Sequence, residues 1–345
     1  MQKKYKILYF ACLYSLLFPA LFFSLFALKT PVEAAVIQAE NLDENIEAAS
    51  QNGHTFLFLG IDNASHSSDV IMLAHIDKDG KDMKLLQMPR DTYAAGHGKI
   101  NSIFAKVYLE AKKANRAETE CCLLGAKALS SHLSLMLGIT IDHHAVLTLD
   151  DFSTLIDSVG GVPIDLPKNL DYDDPAGSLS IHLKAGKQIL DGKAAEGLVR
   201  CRNAYPSADY GRMDAQRLFL SAFFEKLRYH TSPIKLLALI SKAHGFVKTD
   251  LSLPSTLSLG KTLLSTSDEH LFAATLVGKS VKIKGALCEV LPKDSVKEAS
   301  LWLEGQYNEQ NAAKACVGSN QAAGSAYEST AEIPFAPKNA KEKNT

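Results

Sequence analysis

TFLFLGIDNASHSSDVIMLAHIDKDGKDMKLLQMPRD, residues 55–91, decides the fold. It contains three apolar runs of strand length, Thr55–Ile61, Val70–Ile76 and Met83–Met88. Asp79-Gly80 marks a hairpin turn between the second and third. Pro89 stops the third run, because proline has no N–H for a strand ladder. Runs so continuously apolar suit strands buried on both faces.

Working outward, the pattern predicts helices over about 103–114 and 118–137, the second closed by Gly138. A strand is expected over His144–Leu149. Asp151 then caps a helix running to Ser158, which Gly160-Gly161 stops. Val162–Leu166 reads as a short strand, Leu190 as the close of a turn, Gly192–Val199 as a short helix and Asp214–Tyr229 as a longer one. Beyond Pro233 come expected helices near 234–244 and 254–266, a strand near 271–276 and a helix near 294–304. Interleaved strands and helices with one hairpin predict an α/β fold, a mixed central β-sheet covered by helices on both faces.

Residues 7–28 carry no charge and are long enough to cross a bilayer, which takes ~20 helical residues. Lys3, Lys4 and Lys6 precede the run, and acidic residues dominate after Lys29. The positive-inside bias therefore predicts a cytoplasmic N-terminus over 1–6, a single-pass transmembrane helix over 7–28, a linker over 29–52 and an extracellular domain over 53–305. A cleaved signal peptide is the competing reading, and it exports the domain equally. Residues 306–345 are poor in large apolar side chains and are expected to be a disordered tail.

The 345 residues are 46% hydrophobic and carry a net charge of −1, so no global field draws the chain to nucleic acid. Any anion must be held by local clusters. The six cysteines show no Cys-x-x-Cys spacing; a Cys288–Cys316 bridge outside the cell is the competing reading, and free or buried thiols are the favoured one.

Four local clusters can carry chemistry. Asp62 and Asp69, at adjacent strand ends, are oxygen donors suited to a hard cation such as Mg²⁺, though aspartate is also common in turns. Arg90 and Asp91 follow Pro89 at the sheet edge, where ligands collect in α/β folds. Lys99 and Asn101 stand just before a predicted helix, where phosphates bind. The strongest cluster is Arg200-Cys201-Arg202, followed by Asp209, Arg212 and Gln216. In an extended segment Arg200 and Arg202 point to one face, and their planar forks match phosphate oxygens. Asp209 can orient a guanidinium. A solvated basic strand is the bland alternative.

These clusters, in this order, resemble the LytR–CpsA–Psr family of cell-wall enzymes. The likeness runs from about Thr55 to Gly305, through FLFLGID, SSDVIML, MPRDTY, KIN, DSVGGVPIDLP, LDGKAAEGLVRCR and DYGRMDAQR. It implies a phosphotransferase that moves a glycan polymer (teichoic acid, capsular or other secondary wall polysaccharide) from undecaprenyl pyrophosphate to a peptidoglycan hydroxyl. It further implies a hydrophobic channel for the polyprenyl tail, membrane attachment, and a Gram-positive-type envelope. By the same resemblance Asp62 and Asp69 are the Mg²⁺-associated carboxylates. Arg90, Arg200, Arg202 and Arg212 surround the pyrophosphate with Asp209 beside them, and Lys99 and Asn101 line the same pocket. Apart from the resemblance, Gln216 is read as a substrate contact and Asp91, by its position, as a candidate base. The chain departs from the family at Ser67 and Ala215, where arginine is usual, and at Cys201, where an aromatic is common. Two other functions compete: a polyprenyl-pyrophosphate hydrolase, with water as acceptor, and a non-catalytic envelope regulator.

Overall fold

The computed structural model describes residues 53–306 except 175–178, 203–204, 206, 208, 231–245, 253–254 and 256–269. Its strands are β1 (Gly53–Ile61), β2 (Ser68–Asp77), β3 (Met83–Met88), β4 (Tyr93–Ala94), β5 (Gly98–Lys99), β6 (His143–Thr148), β7 (Val162–Leu166), β8 (Leu170–Asp174), β9 (Leu179–Leu183), β10 (Gly186–Leu190), β11 (Lys248–Thr249), β12 (Leu271–Thr275), β13 (Lys279–Ile283) and β14 (Ala286–Val290). Its helices are α1 (Asn101–Lys113), α2 (Glu118–Leu137), α3 (Leu149–Ser158), α4 (Gly192–Arg200), α5 (Asp209–His230) and α6 (Lys293–Leu303).

Six strands form the central sheet in the order β11-β6-β1-β2-β3-β12. The β1–β2 and β2–β3 pairs are antiparallel hairpins, whereas β6 joins β1, and β12 joins β3, in parallel. The sheet is mixed, as expected. Its directions put the ends of β1, β3 and β6 and the start of β2 on one edge.

Period-two alternation sends successive side chains to opposite faces, and both faces are covered. Phe56, Met72, Ala74, Met83 and Leu85 pack with Leu155 and Ile156 of α3, Leu198 of α4 and Phe219 and Phe223 of α5. Leu57, Leu59, Ile71, Leu73 and Leu86 pack with Phe104 of α1, Leu129 and Leu133 of α2 and Trp302 of α6.

Local signals placed most of these elements. Gly138 ends α2 at φ +71°, its N–H bonding the Ser134 carbonyl. The cap of α3 differs from expectation. Thr148 is the N-cap, its hydroxyl accepting from the Asp151 N–H at 3.2 Å and donating to the Asp151 carboxylate at 2.8 Å. Asp151 is thus the third helical residue, held by the cap, and not the cap itself. Leu190 belongs to strand β10, paired with β7. The first turn of α5 starts at Asp209, ahead of the expected Asp214.

The expected segments 1–6, 7–28 and 29–52, the helix over 234–244, most of that over 254–266 and the tail beyond 306 lie outside the described residues. Among the described residues no helix is long and apolar enough to cross a membrane. Cys121, Cys122, Cys201 and Cys288 are all buried and form no disulfide.

Candidate functional site

The site assembles on the edge where β1 and β3 end. At the β1–β2 hairpin the register slips: Gly60 pairs Val70 and Ile61 pairs Ser68, which leaves Asp69 as the extra residue of a bulge. Bulges re-aim side chains, and this one presents Asp69 beside Arg90. Arg90 Nη1 donates to Asp69 Oδ1 at 2.5 Å. Asp62 follows β1 directly. Its Oδ2 accepts from the Ser65 N–H at 2.8 Å and the Ser65 hydroxyl at 2.7 Å, and its Oδ1 lies 3.8 Å from Arg200 Nη2. Ser65 and Ser67 hydroxyls lie 2.8 Å apart, and Ser67 donates to Asp69 at 3.3 Å. A chain of two hydroxyls therefore links the two carboxylates.

Asp91 is the second hub. Its carboxylate lies 3.0 Å from Lys99 Nζ, 3.9 Å from Arg90 Nε and 4.0 Å from Arg202 Nη2. Lys99 arrives through the small β4–β5 ladder, in which it pairs Tyr93. Arg200 is the last residue of α4, where Glu196 holds it at 2.8 Å. The two arginines expected on one extended face are therefore split by the end of a helix. Arg200 turns to Asp62, and Arg202, after the extended Cys201, turns to Asp91.

The first turn of α5 completes the cluster. Arg212 is 3% exposed; its Nη2 lies 2.6 Å from Asp209 Oδ1 and donates to the Asp69 carbonyl at 3.4 Å. The 2.6 Å contact is an ion pair without hydrogen-bond alignment, since neither Asp209 oxygen has a hydrogen-bond partner among the described residues. Gly211 lets Tyr205 close over this turn: a Cβ there would sit 2.2 Å from Tyr205 Cβ.

The electrostatics match this placement. Burial works against the charge of Asp62, but the Ser65 hydrogen bonds and the Arg200 guanidinium outweigh it and hold the carboxyl below the ordinary range. Burial alone would lower Arg90, yet Asp69, Asp209 and Asp91 outweigh it and raise its pKa. Arg212 is the opposite case. Burial, with Arg90 and Arg202 nearby, lowers its pKa against the pull of Asp209 and Asp69. Among the described residues, Arg90 Nε and Arg212 Nε are buried donors without a hydrogen-bond partner. Such donors are costly in a folded protein and mark functional sites. Two aimed from different elements into one cluster suit an anion with several oxygens.

Two expected contacts also bond within the protein, and one of them, Gln216, lines the apolar pocket beside the cluster. Gln216 bridges the core, accepting from Gln87 Nε2 at 2.7 Å and donating to the Val199 carbonyl at 3.0 Å. Asn101 offers its backbone to the site edge: its N–H donates to the Arg90 carbonyl at 3.3 Å and its carbonyl accepts from Ser68 at 3.4 Å.

An apolar pocket opens beside the cluster, between the sheet and helices α3 and α5. Its cavity measures about 150 Å³, and Phe58, Met72, Leu85, Phe152, Phe219 and Phe223 help line it. Gly60, Val70 and Val199 also line it. Each is one or two residues from Asp62, Asp69 or Arg200, so pocket and charge cluster adjoin. Neighbouring carboxylates suit a hard cation in donor type. The hydrogen bonds of Ser65, Ser67 and Arg90 address only one oxygen each of Asp62 and Asp69. No group of three or more His, Cys, Asp or Glu side chains able to hold a metal ion occurs among the described residues. Asp62 and Asp69 thus each keep one carboxylate oxygen outside those hydrogen bonds, and these are the atoms that would hold a cation.

Fold and site define an α/β domain whose sheet edge sets clustered guanidiniums and carboxylates against an apolar pocket. The model of the LytR_cpsA_psr family matches residues 25–303, and the chain belongs to that family. Among characterised relatives, it is 24% identical over 247 residues to the polyisoprenyl-teichoic acid–peptidoglycan teichoic acid transferase TagV of Bacillus subtilis, covering 70% of this chain and 61% of TagV. It is 31% identical over 195 residues to the cell wall biosynthesis protein LcpA of Corynebacterium glutamicum, covering 52% of this chain and 37% of LcpA. It is 30% identical over 206 residues to the regulatory protein MsrR of Staphylococcus aureus, covering 57% of this chain and 56% of MsrR. The matches thus span less than two thirds of each relative. The crystal structure of B. subtilis TagV superposes with a TM-score of 0.58 at 22% identity, over 75% of this chain and 100% of that one. A structure of TagT bound to LIIa-WTA superposes at 0.54 and 22% identity, over 74% and 91%. At that identity the structural likeness speaks for the fold.

Proposed function

We propose that this domain is a phosphotransferase that moves a glycan polymer from undecaprenyl pyrophosphate to a hydroxyl of peptidoglycan, forming a phosphodiester. One observation carries the reading: Arg90, Arg200, Arg202 and Arg212, distant in sequence, gather with Asp62, Asp69, Asp91 and Asp209 beside an apolar pocket. A polyprenyl pyrophosphate has a long apolar chain next to a polyanion, and this arrangement offers a partner for each. The teichoic acid transferase activity for which TagV is named and the ligand of the TagT structure support the same substrate class.

The proposed chemistry follows from the placement. The pocket takes the prenyl chain and so positions the diphosphate among the arginines. The acceptor hydroxyl attacks the glycan-bearing phosphorus, the bond from that phosphorus to the bridging oxygen breaks, and undecaprenyl phosphate leaves with the bond's electron pair. Asp91 takes the acceptor's proton. The guanidiniums stabilise the charge that spreads over the phosphoryl oxygens. Asp62 and Asp69 would hold Mg²⁺, which neutralises phosphate charge when bound. Lys99 and Asp209 keep Asp91 and Arg212 in place. Membrane attachment through residues 7–28, with the domain outside the cell, belongs to the same proposal.

A synthetic prenyl-pyrophosphate oligosaccharide, incubated with the protein and peptidoglycan fragments with and without Mg²⁺, tests it. The expected result is peptidoglycan-linked glycan phosphate that requires Arg202. Release of free glycan phosphate alone would make the protein a hydrolase, and no turnover would leave binding or regulation as its role.

A further inference from the structure

We propose that Glu289, on the β13–β14 hairpin and outside every motif discussed above, is a positioning residue that clamps both halves of the site; this rests on the function proposed above. The hairpin is a surface feature. Lys284 and Gly285 turn it with φ of +49° and +87°, and Val281 and Leu287 are exposed. Glu289 is only 8% exposed, next to the equally buried Cys288, so alternation alone would send one of them outward. A buried carboxylate is expensive unless partnered, and here the partners lead to the site.

Glu289 Oε2 accepts from the Tyr210 hydroxyl at 3.1 Å, and its other oxygen accepts from Ser280 across the hairpin. The Tyr210 oxygen in turn accepts from the Gly278 N–H at 2.8 Å. Gly278 leaves room for this, since a Cβ there would sit 3.1 Å from Glu289 Oε2. On its backbone, the Glu289 N–H donates to the Asp91 carbonyl at 2.9 Å, and Thr92 pairs with Glu289 in a parallel bridge.

One residue thus grips two segments. Tyr210 lies between Asp209 and Arg212 in the first turn of α5. Asp91 is the carboxylate around which Arg90, Lys99 and Arg202 gather. A shift of about 1 Å in reacting groups can cost ~10²-fold in rate. Glu289, Tyr210, Gly278 and Ser280 are all absent from the pocket lining. Loss of the clamp should therefore disturb the reacting end and leave prenyl-chain binding intact, which separates positioning from a general loss of structure.

The experiment measures kcat and KM for the prenyl-pyrophosphate oligosaccharide, with thermal unfolding, in the full chain and three variants. Glu289→Ala is expected to lower kcat about 10–100-fold, with KM within about twofold. Glu289→Gln keeps an oxygen that accepts from Tyr210 and should restore most of the loss. Should Glu289→Ala not fold, Tyr210→Phe removes a single oxygen and should lower kcat about tenfold. Unchanged kcat in the variants, or a Gln variant no better than the Ala variant, would overturn the positioning role. So would kcat and KM changing together in step with a lowered Tm. A wild-type protein without transfer activity would instead overturn the underlying functional reading, and the control shows which has failed.

Discussion

The two faces of the central sheet are built from the same alternating strands and end differently. On one, Leu57, Leu59, Leu73 and Leu86 meet α1, α2 and α6 in close packing, with Phe104, Leu129 and Leu133 fully buried. On the other, Phe58, Met72 and Leu85 face α3 and α5 across a cavity of about 150 Å³. Hydrophobic pattern makes both faces apolar but does not say which one will be filled. Interiors normally pack to crystal-like density, so the open face is a departure that folding alone does not require. It adjoins the edge where the arginines gather. The closed face holds the fold; the open face, in our proposal, receives the prenyl chain.

Substitutions should separate the two. Leu129→Ala on the closed face leaves a cavity and is expected to cost about 2–5 kcal/mol of stability, measured by denaturant unfolding, with kcat retained below the lowered Tm. Arg202→Ala at the edge of the open face should cut the transfer rate by about 10²–10³ while the unfolding midpoint stays put, since its side chain is 37% exposed. Ala145→Phe projects into the pocket, where Ala145 is part of the wall. It should raise KM about tenfold for long prenyl donors, the order of one or two lost methylenes, and leave short-chain donors unaffected. The smallest effect is on acid stability. The Asp62 carboxyl titrates below its ordinary value in the folded protein, so its contribution is complete above the unfolded value of ~3.9 and fades as pH falls through the folded one. Asp62→Asn should flatten that acid limb below pH ~4 in thermal unfolding and leave the neutral-pH limb unchanged in slope.

What the sequence showed follows from how local each signal is. β1, β2, β3 and β6 read directly from apolar runs, and α2 from its closing glycine, because those signals sit within a few residues. Gathering of Arg90, Asp69, Arg200 and Asp62 was foreseen in kind, from motif order and likeness to a family; the pairing of each arginine with its carboxylate was not. Whether Arg200 lies in a strand or at a helix end depends on where α4 stops, and Leu198-Val199 suits either state. The first turn of α5 was missed because Gly211 is a poor helix former; the close approach of Tyr205 explains the glycine. The β13–β14 hairpin escaped because Lys284-Gly285 lacks the Asn-Gly or Asp-Gly signature of its turn type, and Glu289 escaped with it. A buried glutamate on a surface hairpin has no local signal, since its partners are 79 and 198 residues away in Tyr210 and Asp91.

The most direct test is a crystal structure of the domain with a prenyl-pyrophosphate oligosaccharide. The diphosphate should lie within hydrogen-bonding distance of the guanidiniums of Arg90, Arg200, Arg202 and Arg212, with the prenyl chain running between Met72 and Phe219. A diphosphate bound away from those side chains, or a chain lying on the outer surface with the pocket unentered, would contradict the account.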